Sequence, residues 1–381
     1  MLGYGHQYID DSDIQAVVEV LKSDYLTQGP AVERFEQEIC RITGAKYCVA
    51  VSNATAGLHI AVAALGLEAG VEGITTPNTF LSSANCMIYN GIKPVFADIN
   101  PKTYDIDPSE IEKHITEKTK LLIPVHFAGL PCDMENISKL AKKNRLHIIE
   151  DAAHAIGSQY EDGSYVGNCK YSDMTVFSFH PVKTITTGEG GAVTTNDEGL
   201  YKKLLMLRSH GITKDPELLT ANPGPWYYEM QMLGFNYRMT DMQGALGFSQ
   251  LQKLQFFKER RREIVTQYNQ AFTGIKYLVT PFEPANISSC FHLYVVQIDF
   301  VALGKSRSQV MQELREKGVG AQVHYIPVHC QPYYKGMFGY KAGDYPKAEE
   351  YYAKALSLPL FPGMSNDDVK LVIDTVKEVV K

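Results

Sequence analysis

The chain has 381 residues, 45% of them hydrophobic and 21% charged, with a formal net charge of -6 and a pI near 6.0. That length predicts two domains, and that charge balance offers no basic footprint for nucleic acid. The seven scattered cysteines form no Cys-x-x-Cys pair, the amino terminus has no basic-then-apolar leader, and no apolar run reaches the ~20 residues of a membrane helix. The expectation is a reduced, cytoplasmic protein that is neither exported nor membrane-spanning.

Short β-rich runs alternate with helical patterns through the first half. Strands are predicted at Lys46–Ser52, Gly73–Pro77, Pro94–Ile99, Leu121–Phe127, His147–Ala153, Met174–His180 and Ala192–Thr195. Between them the periodicity predicts helices at Ala54–Leu67, Ser82–Tyr89, Pro108–Ile115, Met134–Asn144 and Glu198–Arg208. Such alternation makes an α/β fold with a seven-stranded, mostly parallel sheet sandwiched by helices, whose ligands bind at the carboxyl ends of the strands. Lys214–Trp226, with three prolines and little periodicity, reads as a mobile or partner-covered loop. From Met239 to about Phe272 the pattern predicts one long helix, which marks a boundary between a large domain, residues 1–245, and a smaller α+β domain, residues 246–381. In the latter, strands are predicted at His292–Asp299 and Ala321–Tyr325, with helices at Ser306–Lys317 and Asn366–Val380.

Lys183 follows one apolar strand and precedes the turn Gly188-Glu-Gly-Gly191, and Asp151 closes another apolar strand about thirty residues earlier. A lysine at a buried strand exit can form an imine with an aldehyde, and a carboxylate nearby can hold a pyridinium nitrogen protonated. The pair suggests pyridoxal 5′-phosphate. Taken singly, the lysine could be a solvated turn residue, and the aspartate a helix cap or metal ligand. The glycine turn is no dinucleotide fingerprint, because the third glycine would fall at Val193.

Small polar residues in Val51-Ser-Asn-Ala-Thr-Ala-Gly57 stand between a strand and a helix start, where free amides suit the cofactor's phosphate; simple N-capping is the competing explanation. Ser178 could add a hydroxyl or be a satisfied core serine. Phe80 could stack on the pyridine ring and His154 could pack on its other face; ordinary core packing is the alternative for both. His324 and His329 flank Tyr325 and Pro327 at a spacing that does not make a helical zinc pair, so no metal is expected and a substrate-facing strand end is the better reading.

Together these segments resemble the DegT-type sugar aminotransferases, a branch of the fold type I pyridoxal phosphate enzymes. The match runs almost end to end: Tyr25-Leu-Thr-Gln-Gly29, Ser52-Asn-Ala-Thr55, Glu150-Asp-Ala-Ala-His154, Ser178-Phe-His-Pro-Val-Lys183, Arg208-Ser-His-Gly211, Gly234-Phe-Asn-Tyr-Arg238 and Gln322-Val-His-Tyr325. The resemblance implies that Lys183 bonds to the cofactor aldehyde and that Asp151 pairs with the ring nitrogen. It implies phosphate contacts from Ala54, Thr55 and Ser178, and from Asn236 across a homodimer interface, so that sites are composite. Arg238 then suits the amino donor's carboxylate, with an interface ion pair as the alternative.

Within the family the chain looks most like the transaminases of the pseudaminic acid pathway, which aminate carbon 4 of a UDP-linked 4-keto-6-deoxy-N-acetylhexosamine with L-glutamate as donor. The matching sugar-contact positions are Tyr4, Asp24, Tyr25, Leu26, Thr27, Gln322, Val323, His324 and Tyr325, so residues 1–30 would contribute to the substrate site. The segment Ile326-Pro-Val-His-Cys-Gln-Pro332 departs toward the general sugar aminotransferase pattern. A dTDP- or GDP-linked sugar, a UDP-4-keto-pentose, or a non-catalytic cofactor-binding regulator are the alternatives. A dehydratase on the same scaffold would carry histidine at the place of Lys183.

Overall fold

The structure is a computed structural model describing residues 1–381. Its seven long-separated apolar runs form one sheet: β1 (Tyr47–Val51), β2 (Glu72–Thr75), β3 (Lys93–Phe96), β4 (Thr119–Ile123), β5 (His147–Asp151), β6 (Met174–Ser178) and β7 (Gly191–Thr195), in the order β1-β7-β6-β5-β4-β2-β3. Only β7 runs against its neighbours; the other pairings are parallel.

The strand residues alternate between two cores, as a pleat of period two requires. Val49 and Val51 of β1, Leu121 and Ile123 of β4 and Met174 and Val176 of β6 pack on one face. Cys48, Ala50, Leu122 and Phe177 pack on the other. The first face is covered by α3 (Ala54–Leu65), α4 (Ser82–Tyr89) and α7 (Glu198–Arg208), the second by α2 (Pro30–Thr43), α5 (Pro108–His114) and α6 (Met134–Asn144). Helix α3 lies close to the sheet because it carries Gly57 there: a Cβ at that position would sit 2.9 Å from Val176 Cγ1. The mostly parallel, doubly covered sheet is thus as expected.

A third core gathers around β10 (Leu278–Val279), β11 (Tyr294–Ile298) and β12 (Ala355–Leu358), with α11 (Arg307–Glu316) and α14 (Asn366–Val379) packed on it. The stretch after α7 holds only the two-residue pair β8 (Ile212–Thr213) and β9 (Glu229–Met230), with irregular chain between them.

Two expectations need correction. The helix expected from Met239 to Phe272 is two, α8 (Asp241–Leu251) and α9 (Leu254–Phe272). Lys253 leaves helical geometry (φ -102°, ψ 0°), and its amine is held by Asp10 and Asp13 at 2.6 and 2.7 Å, which fixes the break. Asp13 itself belongs to α1 (Asp11–Leu21), a helix whose sequence signal is the Asp10–Asp13 capping box. The strand expected at Ala321–Tyr325 is absent. Only Gln322 exchanges backbone bonds with Ser357. Beyond it the His324 carbonyl accepts from the Tyr351 hydroxyl at 2.8 Å, a side-chain bond in place of a ladder bond.

Candidate active site

The carboxyl ends of β5 and β6 and the amino terminus of α3 surround a cavity of about 630 Å³. Asp151 is the last residue of β5. Its backbone is fixed to the segment that continues β4, with its N–H donating to the Pro124 carbonyl (2.9 Å) and its carbonyl accepting from the His126 N–H (3.1 Å). Below it, the buried Glu150 accepts from His126 Nε2 at 2.8 Å and from the hydroxyls of Tyr160, Ser172 and Thr175, which locks the strand end. One carboxylate oxygen of Asp151 accepts from the Ala153 N–H (3.1 Å) and the other from Ser83 Oγ (2.6 Å).

Lys183 stands in the loop between β6 and β7, which folds back on itself through Lys183 N–H to His180 O (2.8 Å) and Phe179 N–H to Gly190 O (2.9 Å). The residue keeps some exposure to the cavity, while protein atoms packed about its amine push the pKa down to about 8 by desolvation, partly offset by Asp151. A buried amine near neutral is suited to carbonyl chemistry and to carrying a proton.

At the start of α3, Asn53 caps the helix: its side chain accepts from Ala56 N–H (2.8 Å) and its carbonyl from Gly57 N–H (3.1 Å). The N–H groups of Ala54 and Thr55 are left for an anion, with the Thr55 hydroxyl 2.8 Å from Ser82 Oγ and Ser178 on the same wall. Gly191 makes this cradle possible, because a Cβ there would stand 2.7 Å from Ala54 N.

The opposite wall is aromatic. Tyr325 lies 6.2 Å from Phe80, centroid to centroid, and its hydroxyl is 3.1 Å from His154 Nε2. Phe80 is 57% exposed, a large apolar face turned outward at the cavity. The His292 ring lies 4.4 Å from His154, tilted by 45°, and His324 lies 5.2 Å from Tyr4 and 2.8 Å from Ser357 Oγ. Burial and the nearby Lys183 hold all three histidines neutral: His154 and His292 lie well below the usual range, His324 near about 4.

The structure therefore brings together Lys183, Asp151, Ala54, Thr55, Phe80, His154, Ser178, Tyr4, His324 and Tyr325 around one cavity. Gln322 and Val323 precede it without lining it. Arg238 lines a different cavity with Gln28, Glu36 and Arg208, and Asn236 pairs with Ser209 beside it. The segment Asp24–Thr27 is also outside the Lys183 cavity: Tyr25 and Leu26 are exposed, and the Leu26 carbonyl takes the Asp241 N–H. Sequence reasoning missed Thr79, Ser82, Ser83, Glu189 and His292. Of the two N-cap candidates in the segment before α3, Ser52 and Asn53, it is Asn53 that caps the helix. His292 and Ser83 had no sequence signal, being brought in by tertiary packing alone.

Residues 7–377 match the DegT/DnrJ/EryC1/StrS aminotransferase family. The chain belongs to that family. Among its relatives is the spore coat polysaccharide biosynthesis protein SpsC of Bacillus subtilis, 44% identical over 381 residues that cover 100% of this chain and 97% of SpsC. Among solved structures it is similar to Helicobacter pylori PseC, an aminotransferase involved in the biosynthesis of pseudoaminic acid (TM-score 0.93, 32% identity, 100% and 99% of the two chains). It is also similar to the putative sugar aminotransferase Spr1654 of Streptococcus pneumoniae in its PLP form (TM-score 0.91, 30% identity, 100% and 98% of the two chains).

As a family member the protein is a pyridoxal-phosphate-dependent aminotransferase, and its residues fit that cofactor. An amine, a carboxylate and an amide cradle surround one cavity, and the cradle exists only because Gly191 lacks a side chain. No helix is long and apolar enough to cross a membrane.

Proposed function

We propose that this aminotransferase moves an amino group from L-glutamate to the 4-keto carbon of a UDP-linked 4-keto-6-deoxy-N-acetylhexosamine, in the making of a surface sugar of the pseudaminic acid type. The observation that carries the reading is the cavity itself: beside the Lys183 amine and the Asp151 carboxylate it has a wall of Tyr4, Phe80, His324 and Tyr325. Rings with polar edges suit a sugar ring and a nucleobase, whereas a small keto acid needs no such surface. The names of PseC and SpsC point the same way.

The bound cofactor supplies the electron sink. Lys183 Nζ takes the proton from the donor's α-carbon and returns one to the acceptor's carbon 4. Asp151 would pair with the ring nitrogen, Phe80 and His154 would hold the ring, and Ala54, Thr55 and Ser178 would hold the phosphate.

The same reading makes the enzyme a cytoplasmic homodimer with shared sites. Asn236, Arg238 and Asp24–Thr27 lie beside each other but outside their own chain's cavity, next to exposed Tyr25, Leu26 and Leu233. A partner's cavity gives them a ligand: phosphate for Asn236, the donor carboxylate for Arg238, and the nucleotide sugar for Asp24–Thr27. Residues 1–245 form the cofactor-binding unit and 246–381 the smaller one.

Turnover with glutamate and a panel of UDP-, dTDP- and GDP-linked keto sugars tests the assignment. The UDP-linked hexosamine should have the highest kcat/KM. A clear preference for another nucleotide overturns the sugar assignment, and cofactor binding without turnover of any sugar supports a regulator instead.

A further inference from the structure

Thr79 and Phe80 lie on the turn between β2 and α4, Ser83 stands in the first turn of α4, and only Phe80 faces outward. Ser83 and Thr79 are 0% and 2% exposed. Ser83 Oγ is 2.6 Å from the second carboxylate oxygen of Asp151, and Thr79 Oγ1 is 2.7 Å from Ser83 Oγ. Between Asp151 on β5 and this turn the sheet interposes β4, so the contact reaches across a strand.

The proton directions follow from what each group can do. An ionised carboxylate only accepts, so the one Ser83 proton goes to Asp151, and its other acceptor, the Phe80 carbonyl, is farther at 3.3 Å. The Ser83 oxygen is then left as acceptor, and the Thr79 hydroxyl donates to it. A charge-assisted O–H bond of this length is among the stronger ones. After the Ala153 N–H and Ser83 have each taken one site, a free lone pair remains on either oxygen of Asp151 for one further donor.

We propose that Thr79 and Ser83 are positioning residues, a one-way hydroxyl chain that fixes the rotation of the Asp151 carboxylate and aims its free lone pair at the cofactor's ring nitrogen. The proposal rests on the reading of Asp151 as the ring-nitrogen partner. The turn and the start of α4 thereby serve the cofactor twice, presenting Phe80 to its face and Ser83 to its counter-ion.

The test uses holoenzyme reconstituted with ring-¹⁵N pyridoxal phosphate. The ring-nitrogen shift is followed against pH beside kcat for wild type, Ser83→Ala, Ser83→Thr, Thr79→Val and Asp151→Asn. Ser83→Ala should move the ring-nitrogen titration to lower pH and lower kcat roughly tenfold, the scale of one lost hydrogen bond to a charged group. Ser83→Thr, which keeps the hydroxyl, should restore both, and Thr79→Val should shift both in the same direction by less. If Asp151→Asn changes the ring titration while Ser83→Ala and Thr79→Val leave it at the wild-type position, the chain is overturned and the role of Asp151 stands. If Asp151→Asn itself leaves the ring titration unmoved, the reading beneath the proposal falls with it. Should Ser83→Ala fail to fold, the Thr79→Val titration decides the matter.

Discussion

The Tyr325 hydroxyl and His154 Nε2 are 3.1 Å apart, and their contact ties the segment beyond α11 to the loop that leaves β5. The Ala128 N–H donates to His154 Nδ1 at 3.2 Å, so the neutral ring carries its proton on Nε2 and donates it to Tyr325. The phenol's own proton is then free to point elsewhere in the cavity. The arrangement needs His154 uncharged, and burial secures that.

Acid should therefore loosen the protein from this cluster outward. His154, His292 and His324 all have pKa values lowered by burial, His324 to about 4. An unfolded chain binds these protons from pH ~6.5 downward while the folded one refuses them, so stability is present above that pH and is lost as pH falls toward 4. Each such group contributes a slope of about 1.4 kcal/mol per pH unit in that window. Urea unfolding of His324→Asn between those limits should show a slope shallower by about one proton; an unchanged slope means that His324 is already charged when folded.

Lys183 gives the opposite of the usual stability effect. Its folded pKa is about 8 against 10.5 unperturbed, so below pH 8 folding buries a charge it would rather leave in water. Stability should rise with pH between the two values, and Lys183→Met should stabilise the cofactor-free protein most at pH 7. The two pKa values set an upper bound of about 3 kcal/mol, and solvent in the cavity reduces it. The gain should fade by pH 10.5. Turnover in the same variant should fall by at least the ~10²–10⁴-fold expected of a lost proton-transfer group. Thermal scans at both pH values check the first claim and a steady-state assay the second; a variant with wild-type rate removes Lys183 from the chemistry.

Much of this was legible because the sheet is built from apolar runs whose ends are marked by chemistry. Asp151 and Lys183 sit where strands stop, and Ala54 and Thr55 where a capped helix begins. What failed to read was tertiary. The break at Lys253 depends on Asp10 and Asp13, some 240 residues away in sequence. Gln322-Val-His-Tyr325 has the alternation of a strand, but beyond the Gln322 bridge to Ser357 its bonds go to the side chains of Tyr351, Ser357 and His154. Ser83 and His292 belong to no motif at all, and only tertiary packing carries Ser83 to Asp151 and His292 to the cavity.

Sharing of sites between chains predicts complementation. Lys183→Ala and Asn236→Ala damage one cavity each if Asn236 serves the partner, so a mixed dimer holds one cavity with both defects and one with neither. Co-refolded mixtures should recover activity above either parent, approaching half the wild-type rate per hybrid dimer. Recovery should require dissociation and reassociation rather than simple mixing of folded dimers. Hybrids no more active than their parents would show that each cavity is complete within one chain.

The sugar half of the reaction should be separable from the donor half at His324. Its ring packs 5.2 Å from Tyr4, and Nδ1 is engaged by Ser357. Its Nε2 edge is thus left for a ligand, and Tyr4 comes from the amino-terminal segment that the donor amino acid has no need to touch. Removing the ring costs one neutral hydrogen bond, about 0.5–1.5 kcal/mol, or roughly two- to tenfold in kcat/KM for the sugar. His324→Ala should lower that constant while glutamate still converts the bound cofactor to its amine form at close to the wild-type single-turnover rate, followed by absorbance. The ring also contributes packing, so His324→Gln, which keeps a donor, should recover part of the sugar constant. Equal damage to both half-reactions would place His324 with the cofactor rather than the sugar and would leave the aminotransferase assignment untouched.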